Sequence, residues 1–403
     1  MDLALALRWS GCRVLASRPR QGKAASRRFT GALAAKSANE PNNCYDVVLV
    51  GGGFAGLAAV GRLAKQRVHG RKLRLLLIEQ GRGLGGRVCT RRRETTEGPL
   101  AFDHGCQYFT AKTSQPHFSD ACRMWQDAGV AGAWHAAVGK LSLQGIGMED
   151  AIFEPFDQSK VPLVGIPSMS AIGKHIIREA QDGQNDVDVL TSSKASDAAW
   201  DDASHLWTLQ VNSEPVKTSV LAVTTSARSC VRMLGDACPS GCEASKVKSN
   251  VCWALLVASF KPLTCQPDWD AALVDGSSCF AWVSRNTSKP SRPKPPAPEC
   301  FVLHTCPEWS NPRAELSKDE VRKLLLMEFC RQFGCQNEAV VYAEAFRWNN
   351  AFPLNPLQLP KKCIVEPERK LVAGGDWASG DRVGDAFESG VAVAVAVLTL
   401  LNA

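Results

Sequence analysis

The sequence predicts an α/β protein of two domains, the second inserted into the first. Three observations predict this. An apolar, strand-like run from Tyr45 to Val50 enters the glycine turn Gly51-Gly52-Gly53-Phe54-Ala55-Gly56. A helical pattern from Leu57 to Lys65 and a second strand-like run from Leu73 to Gln80 complete a β-α-β unit, which sets its strands parallel. A second glycine-rich passage from strand to helix, "LVAGGDWASGDRVGDAFESG", lies about 320 residues downstream.

The 403 residues suffice for about two domains. With 45% hydrophobic and 22% charged residues, the composition is that of a well-cored protein. The net charge of +7 is confined to the first 39 residues, where Arg8, Arg13, Arg18, Arg20, Lys23, Arg27, Arg28 and Lys36 face only Asp2. The remaining residues balance, so no basic surface for a phosphate backbone is implied. This Arg- and Ser-rich, acid-poor stretch, residues 1–40, reads as a transit peptide, for a chloroplast in preference to a mitochondrion; a tail without an address is the alternative. The 16 cysteines contain no CxxC pair and sit largely in apolar strings, so they read as reduced thiols and no metal site is expected. No apolar run approaches the ~18 residues that span a bilayer. The longest, Val391 to Leu401, reads as a buried helix, and no transmembrane segment is expected.

Between the glycine motifs, "PSMSAIGKHIIREAQ" predicts a helix that Ser168 or Ser170 can cap. "VDVL", "LWTLQVN" and Val216 to Thr225 predict strands. The Pro-rich stretch Asn286 to Pro298 predicts an exposed loop with polyproline character inside the second domain. Glu315 to Phe333 predicts an amphipathic helix. The expected segmentation is a presequence over 1–40, a discontinuous nucleotide-binding domain over 44–114, 165–235 and 366–403, and a substrate domain over 115–164 and 236–365.

Gly51, Gly53 and Gly56 fill the G-x-G-x-x-G pattern of a Rossmann-like dinucleotide site. The first permits a tight turn, the second lets a pyrophosphate approach the backbone, and the third lets helix and strand touch. Phe54 and Ala55 of the turn are cofactor-binding candidates, and the start of the helix that follows offers free N–H groups to the phosphates. Glu79, 23 residues past Gly56, can accept hydrogen bonds from ribose hydroxyls and would repel a 2′-phosphate. In Gly85-Gly86-Arg87, glycine again admits a ligand and Arg87 adds a fixed cation. Near the C-terminus a strand ends in Gly374-Gly375-Asp376, and a helix follows from about Ala386. Its N-terminus, near Val383, can face the flavin N1/O2 edge and stabilise negative charge there. A second glycine-rich motif of this kind distinguishes FAD from NAD.

Together with "FDHGCQYFTA", "WVSRNTSKPSR", "FVLHTCPEWS", "EAFRWNNAFP" and "GGDWASGDRVGDAFESG", these motifs resemble the flavin-containing amine oxidase superfamily and, within it, the renalase-like branch, from Cys44 to the C-terminus. The resemblance implies a p-hydroxybenzoate-hydroxylase-like FAD domain with an inserted α+β substrate domain. It places FAD contacts on Ala55, Glu79, Gln80, Arg87, Gln107, Tyr108, Asp376 and Val383, and the adenine near Val189. It implies non-covalent FAD, and no cysteine interrupts the last motif. His104 and Cys106 depart from the family's usual small or apolar residues. With Tyr45, Tyr108 and Tyr342 its only tyrosines, the chain argues against a two-tyrosine amine cage.

The function expected is hydride transfer from a small organic substrate to flavin N5, with an isomeric dihydronicotinamide as one substrate that the resemblance implies. No side-chain acid or base is assigned, because the flavin supplies the reactive centre. Oxygen, a protein or a quinone can be the acceptor. His304, Arg347 and Trp348 are the substrate-side candidates; a core histidine, a surface ion pair and a core tryptophan are their structural alternatives. An oxidase or desaturase of an apolar organelle metabolite, or a non-catalytic flavin-binding regulator, are the competing functions.

Overall fold

The structure, a computed structural model, describes residues 44–144, 151–157, 161–235, 238–261, 263, 268–294 and 296–403. The expected presequence lies outside the described residues.

Two sheets organise the chain. The first runs in the order Ala195–Asp201, Leu206–Val211, Glu214–Val223, Cys44–Val50, Arg74–Ile78, Asp186–Leu190. Leu371–Gly374 adds in parallel to the end of Glu214–Val223, and Cys363–Glu366 pairs antiparallel outside it. The Cys44–Val50, Arg74–Ile78, Asp186–Leu190 and Glu214–Val223 ladders are parallel. Both faces are covered over Val47–Val50 and Leu75–Ile78, which is why these stretches read as unbroken apolar runs; the edge strand Asp186–Leu190 alternates. Val47, Leu49, Leu75 and Leu77 face the helices Phe54–Leu63, Ser170–Gln181 and Val383–Asn402. Val48, Val50, Leu76 and Ile78 face the opposite cluster with Trp207, Leu209 and Trp377.

The second sheet runs Val340–Trp348, Cys252–Ser259, Glu299–Thr305, Phe280–Arg285, Ala271–Asp275, Val138–Ser142, Ile152–Pro155. One face packs Trp253, Leu255, Val257, Phe301 and Leu303 on Val321, Leu325, Phe329 and Phe333 of the helix Lys318–Phe333. The other packs Ala254, Leu256 and Val302 on Leu100 and Phe102 of the hairpin formed by Arg91–Thr95 and Gly98–Phe102. Arg91 and Arg93 from this hairpin both bind Glu344 of the second sheet, at 2.6 and 2.8 Å. Their donated hydrogen bonds outweigh burial and hold the Glu344 carboxyl at about 2.

Several expectations need correction. The helix expected from Glu315 starts at Lys318, because Ser317 and Glu320 form a reciprocal cap: Ser317 N–H donates to Glu320 Oε2 at 2.9 Å and Glu320 N–H to Ser317 Oγ at 3.3 Å. Neither Ser168 nor Ser170 caps its helix; they accept hydrogen bonds from Arg92 and from the Thr90 N–H instead. The Pro-rich stretch is exposed only in part: Ser291, Pro293, Lys294 and Pro296 face solvent, but Asn286, Thr287, Lys289 and Arg292 are buried. Two segments expected in the second domain belong with the first. Phe118 and Trp125 of helix Pro116–Asp127 stack on Phe387, and strand Cys363–Glu366 extends the first sheet. The C-terminal helix spans Val383–Asn402, long and apolar enough by length and composition to cross a membrane, yet 61% of its most apolar window is buried in the fold.

That helix crosses the first one closely. A Cβ on Gly390 would stand 2.0 Å from the Ala55 carbonyl oxygen. Gly390→Ala is therefore expected to lower the unfolding free energy by about 1–3 kcal/mol, measured by urea denaturation beside the parent protein. Equal midpoints would refute the close crossing.

Candidate functional site

The first glycine turn does three different jobs. Gly51 has φ +113°, and a Cβ there would meet the Thr224 carbonyl at 2.9 Å. Thr224 Oγ1 in turn donates toward the Val50 and Gly51 carbonyls at 3.1 and 2.9 Å, tying the turn to the neighbouring strand end. A Cβ on Gly56 would lie 1.9 Å from the Gly51 oxygen, so only glycine lets the helix begin this close to the strand. A Cβ on Gly53 would meet nothing within 4 Å. Gly53 lines the central cavity and is the N-cap of the Phe54–Leu63 helix, with no side-chain cap and no acid in its first turn. Those N–H groups suit an anion.

Neighbouring segments are locked to this turn. Glu79 accepts from Gly52 N–H at 2.8 Å and Gly81 N–H at 2.6 Å, which fixes its carboxylate at the cavity edge. Gly85 donates to the Gly52 carbonyl at 2.8 Å. Arg87 pairs with Asp376 at 2.7 Å and donates to the Ala351 carbonyl at 2.9 Å. One guanidinium thus joins the two glycine motifs and the second lobe. Beyond Asp376, Val383 and Gly384 open the C-terminal helix at the same cavity.

The cavity measures about 1080 Å3, at the top of the range of ~300–1,000 Å3 typical of small-molecule pockets. Gly51, Gly53, Phe54, Ala55, Glu79, Gln80, Gly86, Arg87, Gln107, Tyr108, Asp376 and Val383 all line it, as do His304, Arg347 and Trp348. Two expected residues do not. Gly56 lies beneath the turn, and Val189 is half-buried in its strand opposite Leu77. Ser193 to Asp197, a few residues past Val189, line the cavity in its place. Sequence reasoning also missed Thr224, Thr225, Trp282 and Arg382. The polar ends of the strands carrying the threonines were the available signal; Trp282 had none.

Gln107 lines the cavity, but its carboxamide is fully engaged inside the protein. Nε2 donates to the Asp103 and Gly105 carbonyls, and Oε1 accepts from Ser284 Oγ at 2.8 Å and Lys289 Nζ at 3.4 Å. Tyr108 stands 5.9 Å from Trp282 and 6.3 Å from Trp134, ring to ring.

His304 Nε2 and Trp348 Nε1 both donate to the carbonyl of His104, at 2.9 and 3.0 Å. Arg347 differs. It precedes Trp348 on a strand, so its side chain leaves the opposite face. Its guanidinium donates to the Ala314 carbonyl and lies 5.7 Å from the Trp253 ring, on the side of the Lys318–Phe333 helix. The structure therefore directs Arg347's charge away from Trp348.

Cys89 approaches His104 at 3.8 Å, yet burial pushes the thiol up to about 12 and the imidazole down to about 3. This is the reverse of an activated thiolate–imidazolium pair. Among the described residues no group of His, Cys, Asp or Glu is arranged to hold a metal ion.

Residues 49–125 match the model of the NAD(P)-binding Rossmann-like domain family. In three dimensions the chain is similar to a candidate protoporphyrinogen oxidase from Exiguobacterium (TM-score 0.64, 10% identity, 88% of this chain and 98% of the other). It is also similar to putrescine oxidase bound to putrescine (0.62, 13%, 88% and 99%) and to cyclohexylamine oxidase from Brevibacterium oxydans (0.63, 12%, 89% and 98%).

Burial holds His304 at about 4 and His104 at about 3, both below the ordinary histidine value of ~6.5. The unfolded chain then binds more protons than the folded one below that value. Stability is complete above about pH 6.5 and is lost as pH falls toward 4. His304→Asn is expected to flatten this decline in urea denaturation across that range. An unchanged profile would mean that His304 is not held neutral. The chain thus has a mixed α/β fold with a Rossmann-like NAD(P)-binding domain, shared in overall architecture with these oxidases.

Proposed function

We propose that the protein is an FAD-dependent oxidoreductase of the amine oxidase superfamily and renalase-like type, acting on a small planar organic substrate. The observation that carries this is one cavity shared by two helix N-termini from distant parts of the chain and continued by the wall of the second sheet; the first is uncapped, and the second holds Asp385 in its first turn, where it accepts from the Arg382 N–H. The donor set suits the cofactor: Gly53 leaves room for a pyrophosphate, Glu79 for ribose hydroxyls, and the Val383 helix end for the electron-rich edge of a flavin. Bound there, FAD supplies a two-electron acceptor at N5 for a hydride from the substrate, with oxygen then taking the electrons as hydrogen peroxide. Non-covalent binding is supported by the two cavity thiols, Cys106 and Cys252, both held protonated by burial that pushes them up to about 12.

The wall from the second sheet sets the substrate class. It presents Cys252, Leu273, Ala281, Trp282, His304, Thr305 and Trp348 and no carboxylate. An alkylammonium ion would find no counter-charge on that wall, whereas a flat ring can stack on Trp348 or Trp282 and hydrogen-bond to neutral His304. An isomeric dihydronicotinamide fits this chemistry. An oxidase of an apolar metabolite is the second reading, favoured by the cavity's size and by Phe156, Leu273 and Phe352 on its lining. The composition of residues 1–40 supports import into an organelle, a chloroplast in the first instance.

The purified protein is expected to be yellow and to release FAD on acid denaturation. Anaerobic addition of an isomeric dihydronicotinamide should bleach it, and putrescine should not. A colourless protein that FAD cannot reconstitute would overturn the proposal; bleaching only by apolar metabolites would favour the second reading. Glu79→Ala is expected to weaken FAD binding roughly 10- to 100-fold, from about 1–3 kcal/mol of lost hydrogen bonding. Fluorescence titration of the apoprotein measures it. Trp348→Ala should raise the half-saturating substrate concentration about two- to tenfold, from loss of ~0.5–1.5 kcal/mol of stacking.

A further inference from the structure

Behind the cavity wall lies a charge cluster that the cofactor contacts leave unused. Asp103, Lys289 and Arg292 are 0%, 0% and 5% exposed. Asp103 Oδ2 accepts from Arg292 Nη2 at 2.6 Å and Lys289 Nζ at 3.3 Å. Its Oδ1 accepts from Thr90 Oγ1 at 2.5 Å and Met169 N–H at 3.3 Å. Although burial opposes ionisation, these cations hold the Asp103 carboxyl at about 2, so it is charged at neutral pH. Arg292 does not lose its proton. One carboxylate thus answers two cations.

Burial pulls the Lys289 ammonium below its ordinary value and the Asp103 carboxylate opposes that, and the contacts around its Nζ suit an ammonium ion. Its Nζ has three donors, and three acceptors stand within reach: Asp103 Oδ2 at 3.3 Å, Asn286 Oδ1 at 3.2 Å and Gln107 Oε1 at 3.4 Å. The Trp134 ring lies 5.5 Å away. A neutral amine has two donors and would set its lone pair against one of these oxygens. Gln107 separates this ammonium from the cavity that it lines with Cys106 and His304, and both of those groups feel the Lys289 charge. At such a separation, within a poorly polarisable interior, a unit charge acts strongly across one side chain.

We propose that Lys289 is a positioning residue of the redox site: its surplus positive charge, held one side chain behind the wall through Gln107, favours the electron-rich, reduced form of the bound cofactor. This rests on the FAD reading above. It requires reduced FAD to bind more tightly than oxidised FAD, so the potential of the bound cofactor must be more positive than that of free FAD.

Spectroelectrochemical titration of the FAD-loaded protein tests this directly. A wild-type potential at or below that of free FAD would overturn the proposal. Lys289→Met removes the charge and is expected to shift the potential negative while FAD is retained; Lys289→Arg, which keeps the charge, should hold it near the parent value. Should Lys289→Met not fold, Asn286→Asp decides. It keeps the oxygen beside Lys289 but cancels the surplus, and it should also shift the potential negative. Folded, FAD-loaded variants with parental potential would defeat the proposal and leave the functional reading standing. A protein that binds no FAD defeats the functional reading instead.

Discussion

Two helices from distant parts of the chain cross within backbone contact distance, and this close crossing sets where both of them begin. Here the crossing is Gly390 over the Ala55 carbonyl, and a single Cβ would force it open. The crossing places the start of Phe54–Leu63 and the start of Val383–Asn402 at the same cavity. The start of Phe54–Leu63 carries the partial positive charge of its unsatisfied N–H groups, whereas the start of Val383–Asn402 has Asp385 in its first turn. The Arg87–Asp376 pair secures the same junction at its rim, and the Ala351 carbonyl brings in the second lobe. Widening the crossing would therefore separate the ends of the site as well as loosen the core.

The second lobe meets the first through polar contacts as well as apolar ones. Glu344 takes two arginines from the hairpin. Asp103 takes Thr90 from the first lobe and Lys289 and Arg292 from the Pro-rich segment. A buried carboxylate of this kind is costly unless every oxygen is answered. Fully answered, it fixes where Gln107, and with it one side of the cavity, must stand. Polar contacts of defined direction suit this task better than apolar packing, because they set orientation as well as proximity.

Much of the dinucleotide site could be read before any coordinates. Gly51 and Gly56 have separate steric reasons to be glycine, and each follows from a strand turning directly into a helix; at Gly53 the missing side chain leaves open space instead. The apolar runs at Tyr45 to Val50 and Leu73 to Gln80 had to be buried on both faces. Helix starts were less legible. Serines near the 170–181 helix were drawn off as acceptors by Arg92 and Thr90, partners remote in the chain, whereas Ser317 found its partner three residues away and capped as local rules expect. The Pro-rich stretch misled for the same reason. Proline content describes backbone shape, but it cannot say that Lys289 and Arg292 will meet a carboxylate 186 and 189 residues earlier.

By itself the sequence determined that a parallel β-α-β unit opens the folded chain, that its turn can approach a pyrophosphate, and that a second glycine-rich helix start lies far downstream. These are properties of short segments, set by φ, Cβ sterics and hydrophobic period. Only the tertiary structure decided that Trp348 and His304 hang from one carbonyl while Arg347 points away. It alone decided that Ser193 to Asp197 replace Val189 at the cavity, and that Lys289 stands behind Gln107 and shares one carboxylate with Arg292. Those outcomes depend on which distant segments are packed together, and distance through space is not encoded in any local run of residues.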